Sequence, residues 1–158
     1  MEAKQIAEYF LSKDIERILF NNKVVEFNGR KFYESNARLN KYLFLAQVVY
    51  LAKYEKRLFE DDFSAYVNGP VVEEIMQGYS RLDNKNISTL PKDITEYLDK
   101  IYISLENATY EELIEITHED PEWIRLKDNT YNAPIMNLEN NIAEYKKRYK
   151  GLIEALKI

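Results

Sequence analysis

Leu39–Tyr54 reads LNKYLFLAQVVYLAKY, and between Tyr42 and Ala52 its only charged or amide side chain is Gln47. A helix that is apolar all round has no solvent face, so neighbours must cover every side of it. The run falls short of the about 20 apolar residues that a membrane span needs. Val48, Val49 and Tyr50 favour strand, but the length of the run and its Leu, Lys and Ala content favour helix. We read it as the central helix of a mainly α fold, a compact multi-helix domain with one small β-hairpin near residues 23–33. Gln47 is then a buried amide whose partners should be backbone groups of a neighbouring segment.

On the N-terminal side, Ala3, Ala7, Leu11, Ile15 and Ile18 are spaced by three or four, which predicts an amphipathic helix over Glu2–Phe20, with a break near Ser12. KVVEFNGRKFY (Lys23–Tyr33) carries Asn28-Gly29 between two short β-favouring runs, the strongest hairpin signal in the chain. A lone hairpin must pack on something, and its edge offers a partner strand a place to pair. Ser35 or Asn36 is the expected N-cap of the central helix.

Beyond the central helix, Asn68-Gly69 reads as a turn. Pro70 reads as the first position of a helix carrying Val71, Val72, Ile75, Met76, Tyr79 and Leu82. Asp83–Leu90 is a polar loop. Pro91 opens a helix with Ile94, Leu98, Ile101 and Leu105 on one face. Thr109–Glu112 is a capping box. Asp120-Pro121-Glu122 starts a short helix bearing Trp123, and the loop Lys127–Pro134 leads to a last helix with Ile142, Tyr145, Tyr149, Leu152 and Leu156. With no repeat and no linker, residues 1–158 read as a single domain, the hairpin being an insertion at about 21–35.

The chemistry-bearing signals are few. His118 is the only histidine, and no HExxH, CxxC or paired-His spacing accompanies it, so a hydrogen-bonded structural role is favoured over a general base or metal ligand. Gly29, Gly69, Gly78 and Gly151 allow no phosphate-binding loop. No cofactor is expected. The net charge of −5 argues against phosphate neutralisation. Lys146, Lys147, Arg148 and Lys150, interleaved with Tyr145 and Tyr149, are the one basic cluster that a nucleic-acid-binding regulator would use. The 13 tyrosines suit helix boundaries and interaction surfaces. The absence of cysteine and of a signal-like N-terminus fits a cytoplasmic protein without membrane attachment.

Three segments together resemble one family. RLNKYLFLAQ (Arg38–Gln47) is similar to the KLQKLLYFAQ-type helix of the Panacea domain, an antitoxin family that includes SocA-like and GepA-like phage-associated proteins. YVNGPVVEEI (Tyr66–Ile75) resembles its aromatic-x-x-Gly-Pro-Val-Val-x-x-Val segment, and LIEITHEDPEW (Leu113–Trp123) its Leu-Thr-His followed by Pro and Trp. The likeness covers roughly Ala37–Trp123. Arg38 stands where Lys is frequent, Ile116 replaces a Leu, and Glu122 separates Pro121 from Trp123.

The resemblance implies a helical, non-enzymatic antitoxin that neutralises a cognate toxin by direct binding, or an adaptor that passes the toxin to a protease. Leu39, Lys41, Gln47, Gly69, Pro70, Val71, Thr117, His118, Pro121 and Trp123 are the motif residues, expected to hold the fold. Phe27, Asn28, Arg30, Phe32 and Tyr33 on the hairpin, with exposed aromatics at Tyr66, Tyr79 and Trp123, are the expected partner contacts. An acidic surface of this kind could cover a basic site on the toxin.

Overall fold

A computed structural model describes residues 1–27, 29–83 and 90–158. Its centre is α2 (Glu34–Tyr54), 21 residues and about 30 Å long. Every residue from Arg38 to Ala52 is buried. The helix therefore needs cover on all sides, as an all-apolar rod must. α1 (Ala3–Ser12), α4 (Lys92–Leu105), α5 (Tyr110–His118) and α7 (Ile142–Arg148) supply it. Short α3 (Glu73–Gln77), α6 (Pro121–Leu126) and α8 (Lys150–Leu156) complete the helices. Tyr42 shows how the shell closes: Phe10, Phe20 and Tyr102 meet its ring edge-on at 5.2–6.1 Å, and its hydroxyl donates to the Leu105 carbonyl at 3.1 Å.

The central helix is longer at its N-terminus than the apolar run alone predicts. Its N-cap is Tyr33, with no side-chain cap, and Ser35 is buried inside the first turn. The β1–β2 hairpin (Val24–Phe27 and Arg30–Tyr33) runs directly into it. That continuity replaces the cap expected at Ser35 or Asn36. Gly29 sits at φ +75° in the hairpin turn, a conformation that favours glycine. Asn28 lies outside the described residues, as do residues 84–89 of the expected polar loop.

The first helix ends at Ser12, well before Phe20. Ile15 and Ile18, expected on its inner face, are 73% and 69% exposed. The buried Asp14 carboxylate is the cause. It accepts the N–H groups of Ile18, Leu19 and Phe20 at 2.9, 2.9 and 2.6 Å, with Arg17 at φ 55°, and so wraps the chain until Phe20 enters the core. Asp14→Ala strips three backbone donors of their acceptor and is expected to cost about 2–3 kcal/mol. Urea unfolding measures it, and a loss below about 0.5 kcal/mol would mean the loop stands without that carboxylate.

A second hairpin, β3 (Ser64–Tyr66) with β4 (Gly69–Val71), occupies the segment read as a helix start. Pro70 pairs across from Ala65 in β4, and the helix begins only at Glu73. Asn40 explains the shift: its Oδ1 takes the Val72 N–H at 2.9 Å, which ties that strand end to α2. The loop expected over Lys127–Pro134 contains a 3-10 turn (Lys127–Asn132) and then runs beside β3. There Ala65 N–H donates to the Pro134 carbonyl, and Met136 N–H to that of Phe63, both at 2.8 Å. The single C-terminal helix is also divided, with Tyr149 at φ −102° and ψ 9° between α7 and α8.

The expected caps are in place. Thr109 and Glu112 form the capping box of α5, and Asp120 caps α6. Gln47 bonds to the backbone of Leu58 and Phe59. No helix among the described residues is long and apolar enough to cross a membrane.

Candidate partner-binding groove

Three distant segments meet at the turn between β3 and β4. From α2, Lys41 Nζ donates to the Asn68 carbonyl at 3.2 Å. From α6, Trp123 Nε1 donates to the Tyr66 carbonyl at 2.9 Å. From α5, Thr117 and His118 close on Gly69, whose φ of +119° is a region that side-chain-bearing residues rarely enter. A Cβ there would lie 3.3 Å from both Lys41 Nζ and Thr117 Oγ1. Asp120 accepts the Glu122 and Trp123 N–H groups at 3.0 Å each. That cap, with Pro121 opening the helix, holds the Trp123 indole flat on His118, rings 4.3 Å apart and 4° from parallel. Glu122, inserted between Pro121 and Trp123, grips Arg125 with both oxygens and accepts the Asn137 N–H at 2.6 Å.

His118 is half-buried, and that burial pulls its pKa below the ordinary histidine value. A hydrogen bond to the Asn68 backbone opposes the shift, and the nearby Lys41 charge adds to it. With one nitrogen bonded to backbone and a ring face covered by Trp123, the imidazole is a strut of this junction. Among the described residues no group of three or more His, Asp or Glu is placed to hold a metal ion. Trp123, expected among the exposed aromatics, is only 8% exposed and stands behind the turn.

In front of the junction lies a groove of about 210 Å³. Asn36, Ala37, Asn40 and Lys41 of α2 make its floor, Arg30–Tyr33 of β2 one wall, and Tyr66, Val67, Asn68 and Val71 the other. Met76 and Tyr110 also line it, and Phe32 packs toward Tyr110 at 6.5 Å. The groove thus gathers Arg30, Phe32, Tyr33 and Tyr66 with the motif residues Lys41 and Val71. Phe27 lies in β1, outside the groove. Tyr79, half-buried on a 3-10 turn, is also away from it. Leu39 and Gln47 belong to the core.

Sequence reasoning did not find Lys31, Val67, Met76 or Tyr110, which no local pattern marks. Lys41 it placed among fold-holding residues. The signal for more was a lysine on the buried rod itself. Lys41 is 4% exposed, and burial pushes its ammonium down to about 8. The C-terminal basic cluster is partly neutralised: Lys146 pairs with Glu55 at 3.2 Å, and Arg148 with Glu119 at 3.7 Å.

Residues 39–124 match the family model described as the antitoxin SocA-like, Panacea domain. No curated protein and no solved structure matches the chain. The matched span contains α2 from Leu39 onward, the second hairpin, α5 and the α6 tryptophan, the parts that converge on the Asn68-Gly69 turn. It is more than half of the chain, and the chain belongs to the antitoxin SocA-like, Panacea-domain family.

Proposed function

We propose that this protein acts as a single domain that neutralises a cognate toxin by direct protein–protein binding, without catalysis of its own. The contact face is the groove between the two hairpins. The observation that carries this reading is how the groove is built. One wall and the Asn40–Lys41 half of the floor come from the family-matched span, whereas the other wall, β2, with Asn36 and Ala37 of the floor, precedes residue 39 and lies outside it. A shared frame with a private wall is what a family member needs to select its own partner. Exposed Tyr33 and half-buried Phe32 on β2, with half-buried Tyr66 on the other wall, give the groove the aromatic character of an interface core.

The test is expression of the neighbouring reading frame. Alone it should arrest growth, and with this protein it should not. Tyr33 is 50% exposed, so Tyr33→Asp leaves folding intact and should abolish protection while the thermal midpoint stays within about 2 °C. Unchanged protection by Tyr33→Asp would remove the groove from the contact face. A toxin half-life that falls when this protein is present would make it an adaptor to a protease.

A further inference from the structure

The groove runs against the charge of the chain. Arg30, Lys31 and Lys41 line it and, among the described residues, no Asp or Glu does, in a protein of net charge −5. Lys41 is fixed on the floor by one bond to the Asn68 carbonyl, which takes one of three ammonium donors. Its pKa is lowered by burial, with no carboxylate acting against that shift. A buried cation without a counter-charge is a costly arrangement, and a carboxylate arriving in the groove would relieve it.

The second feature is the outer edge of β2. Phe27 lies opposite Arg30 and Val25 opposite Phe32, and the Glu34 N–H bonds to the Lys23 carbonyl at 2.9 Å. Bonded and non-bonded positions alternate along an antiparallel pair. Arg30, Phe32 and Glu34 therefore turn their backbone groups toward β1. The N–H groups of Lys31 and Tyr33, with the Lys31 carbonyl, turn away from it. All four β2 residues line the groove, and no β1 residue does, so this free edge borders it. The other hairpin offers no such edge: Pro134–Met136 already runs beside β3, and Pro70 at the middle of β4 has no N–H to donate.

We infer that the groove receives a short, extended, acidic segment of the cognate toxin, which adds as a third strand along β2, sets a carboxylate beside Lys41 and Arg30, and lays an apolar side chain against Phe32 and Tyr66. The inference rests on the antitoxin reading above and names the chemistry of its contact. Strand addition supplies backbone hydrogen bonds, and the groove supplies the choice of side chain. The four residues of β2 match a segment of about the same length, since both strands rise about 3.3 Å per residue.

The experiment uses the full chain, the neighbouring toxin and 12-residue peptides tiling that toxin. On complex formation the amides of Lys31 and Tyr33 should exchange at least about tenfold more slowly, while that of Phe32, already turned to β1, changes little. Arg30→Glu, at an exposed position, and Lys41→Met should each weaken Kd by about tenfold or more, with thermal melts confirming that both fold. Competing peptides should carry Asp or Glu next to an aliphatic or aromatic residue. If the complex forms but these amides stay unprotected and both variants bind within about threefold of wild type, the strand-addition inference is overturned and the antitoxin reading stands. Competition by lysine-rich peptides alone would overturn it equally. If the wild-type chain neither binds nor protects against the toxin, the antitoxin reading itself fails, and the inference falls with it.

Discussion

Gln47→Leu is expected to destabilise the protein by about 4 kcal/mol and to lower its thermal midpoint by roughly 8–16 °C. The two side chains are close in volume, so no cavity is made, and the loss falls on hydrogen bonding alone. Gln47 Oε1 accepts the Leu58 N–H at 2.7 Å and, more weakly, the Phe59 N–H at 3.4 Å, while Nε2 donates to the Phe59 carbonyl at 2.8 Å. These groups sit where the chain leaves α2 and turns back, with the rings of Phe59 and Phe63 only 5.9 Å apart in the core. A buried backbone group stripped of its partner costs about 1–3 kcal/mol, and the two short bonds dominate the sum. Gln47→Glu separates acceptor from donor. Ionised, it keeps the acceptors but leaves the Phe59 carbonyl empty; protonated, it restores the donor. Its folded pKa must then lie above the unfolded value of about 4.3, so the glutamate variant regains stability as the pH falls toward that value. The leucine variant shows no such recovery. A midpoint within about 2 °C of wild type for Gln47→Leu would mean the amide is not the brace between α2 and the 58–59 segment.

Gln47 was legible because it interrupts an otherwise apolar run, so burial and a need for partners follow from the sequence alone. The caps at Thr109 and Asp120 were legible for a related reason: both donor and acceptor lie within three residues. What escaped was set by distant contacts. Ile15 and Ile18 keep helical spacing although the helix ends at Ser12, since the Asp14 carboxylate offers the following N–H groups a better acceptor than the next helical turn would. Gly69-Pro70-Val71 carries the marks of a helix start, and proline suits either a first helical turn or a strand position that donates no bond. Asn40 and the 134–136 segment decide for the strand, and both lie more than 25 residues away. The groove was hidden in the same way. Phe32, Lys41, Tyr66 and Tyr110 come from four elements, and only their assembly shows that, among the described residues, three cations share a site with no acid.

Lys41→Met should do the opposite of most core substitutions and raise the thermal midpoint at pH 7. The ammonium of Lys41 titrates near 8 in the folded chain because burial removes its hydration, against about 10.4 in the unfolded chain. A folded pKa below the unfolded one means that the unfolded chain binds more protons between these two values. Stability therefore rises with pH across the window from about 8 to 10.4, and below pH 8 the native state carries the whole burden, about 3 kcal/mol. Methionine fills the space of the lysine stem without the charge. It loses the bond to the Asn68 carbonyl, which His118 still occupies, and the approach of Nζ to the Tyr110 ring at 5.7 Å; together these offset about 1 kcal/mol. The net expectation is a gain of about 2 kcal/mol at pH 7, or roughly 4–8 °C, shrinking toward zero near pH 10. The neighbours leave that window clear. His118 is held below its ordinary range, and burial pushes the Tyr110 hydroxyl up to about 12, with Glu34 adding to the rise. Tyrosines elsewhere whose folded pKa is raised lose stability above pH 10 in both proteins, so the difference between wild type and variant isolates Lys41. Thermal melts of the pair between pH 6 and 10 make the measurement. A variant that melts lower at pH 7 would make Lys41 a strut of the hairpin turn and leave the groove no unmet charge to offer. A more stable variant that no longer holds the toxin would identify the opposite case, a buried charge kept at the expense of stability because binding needs it.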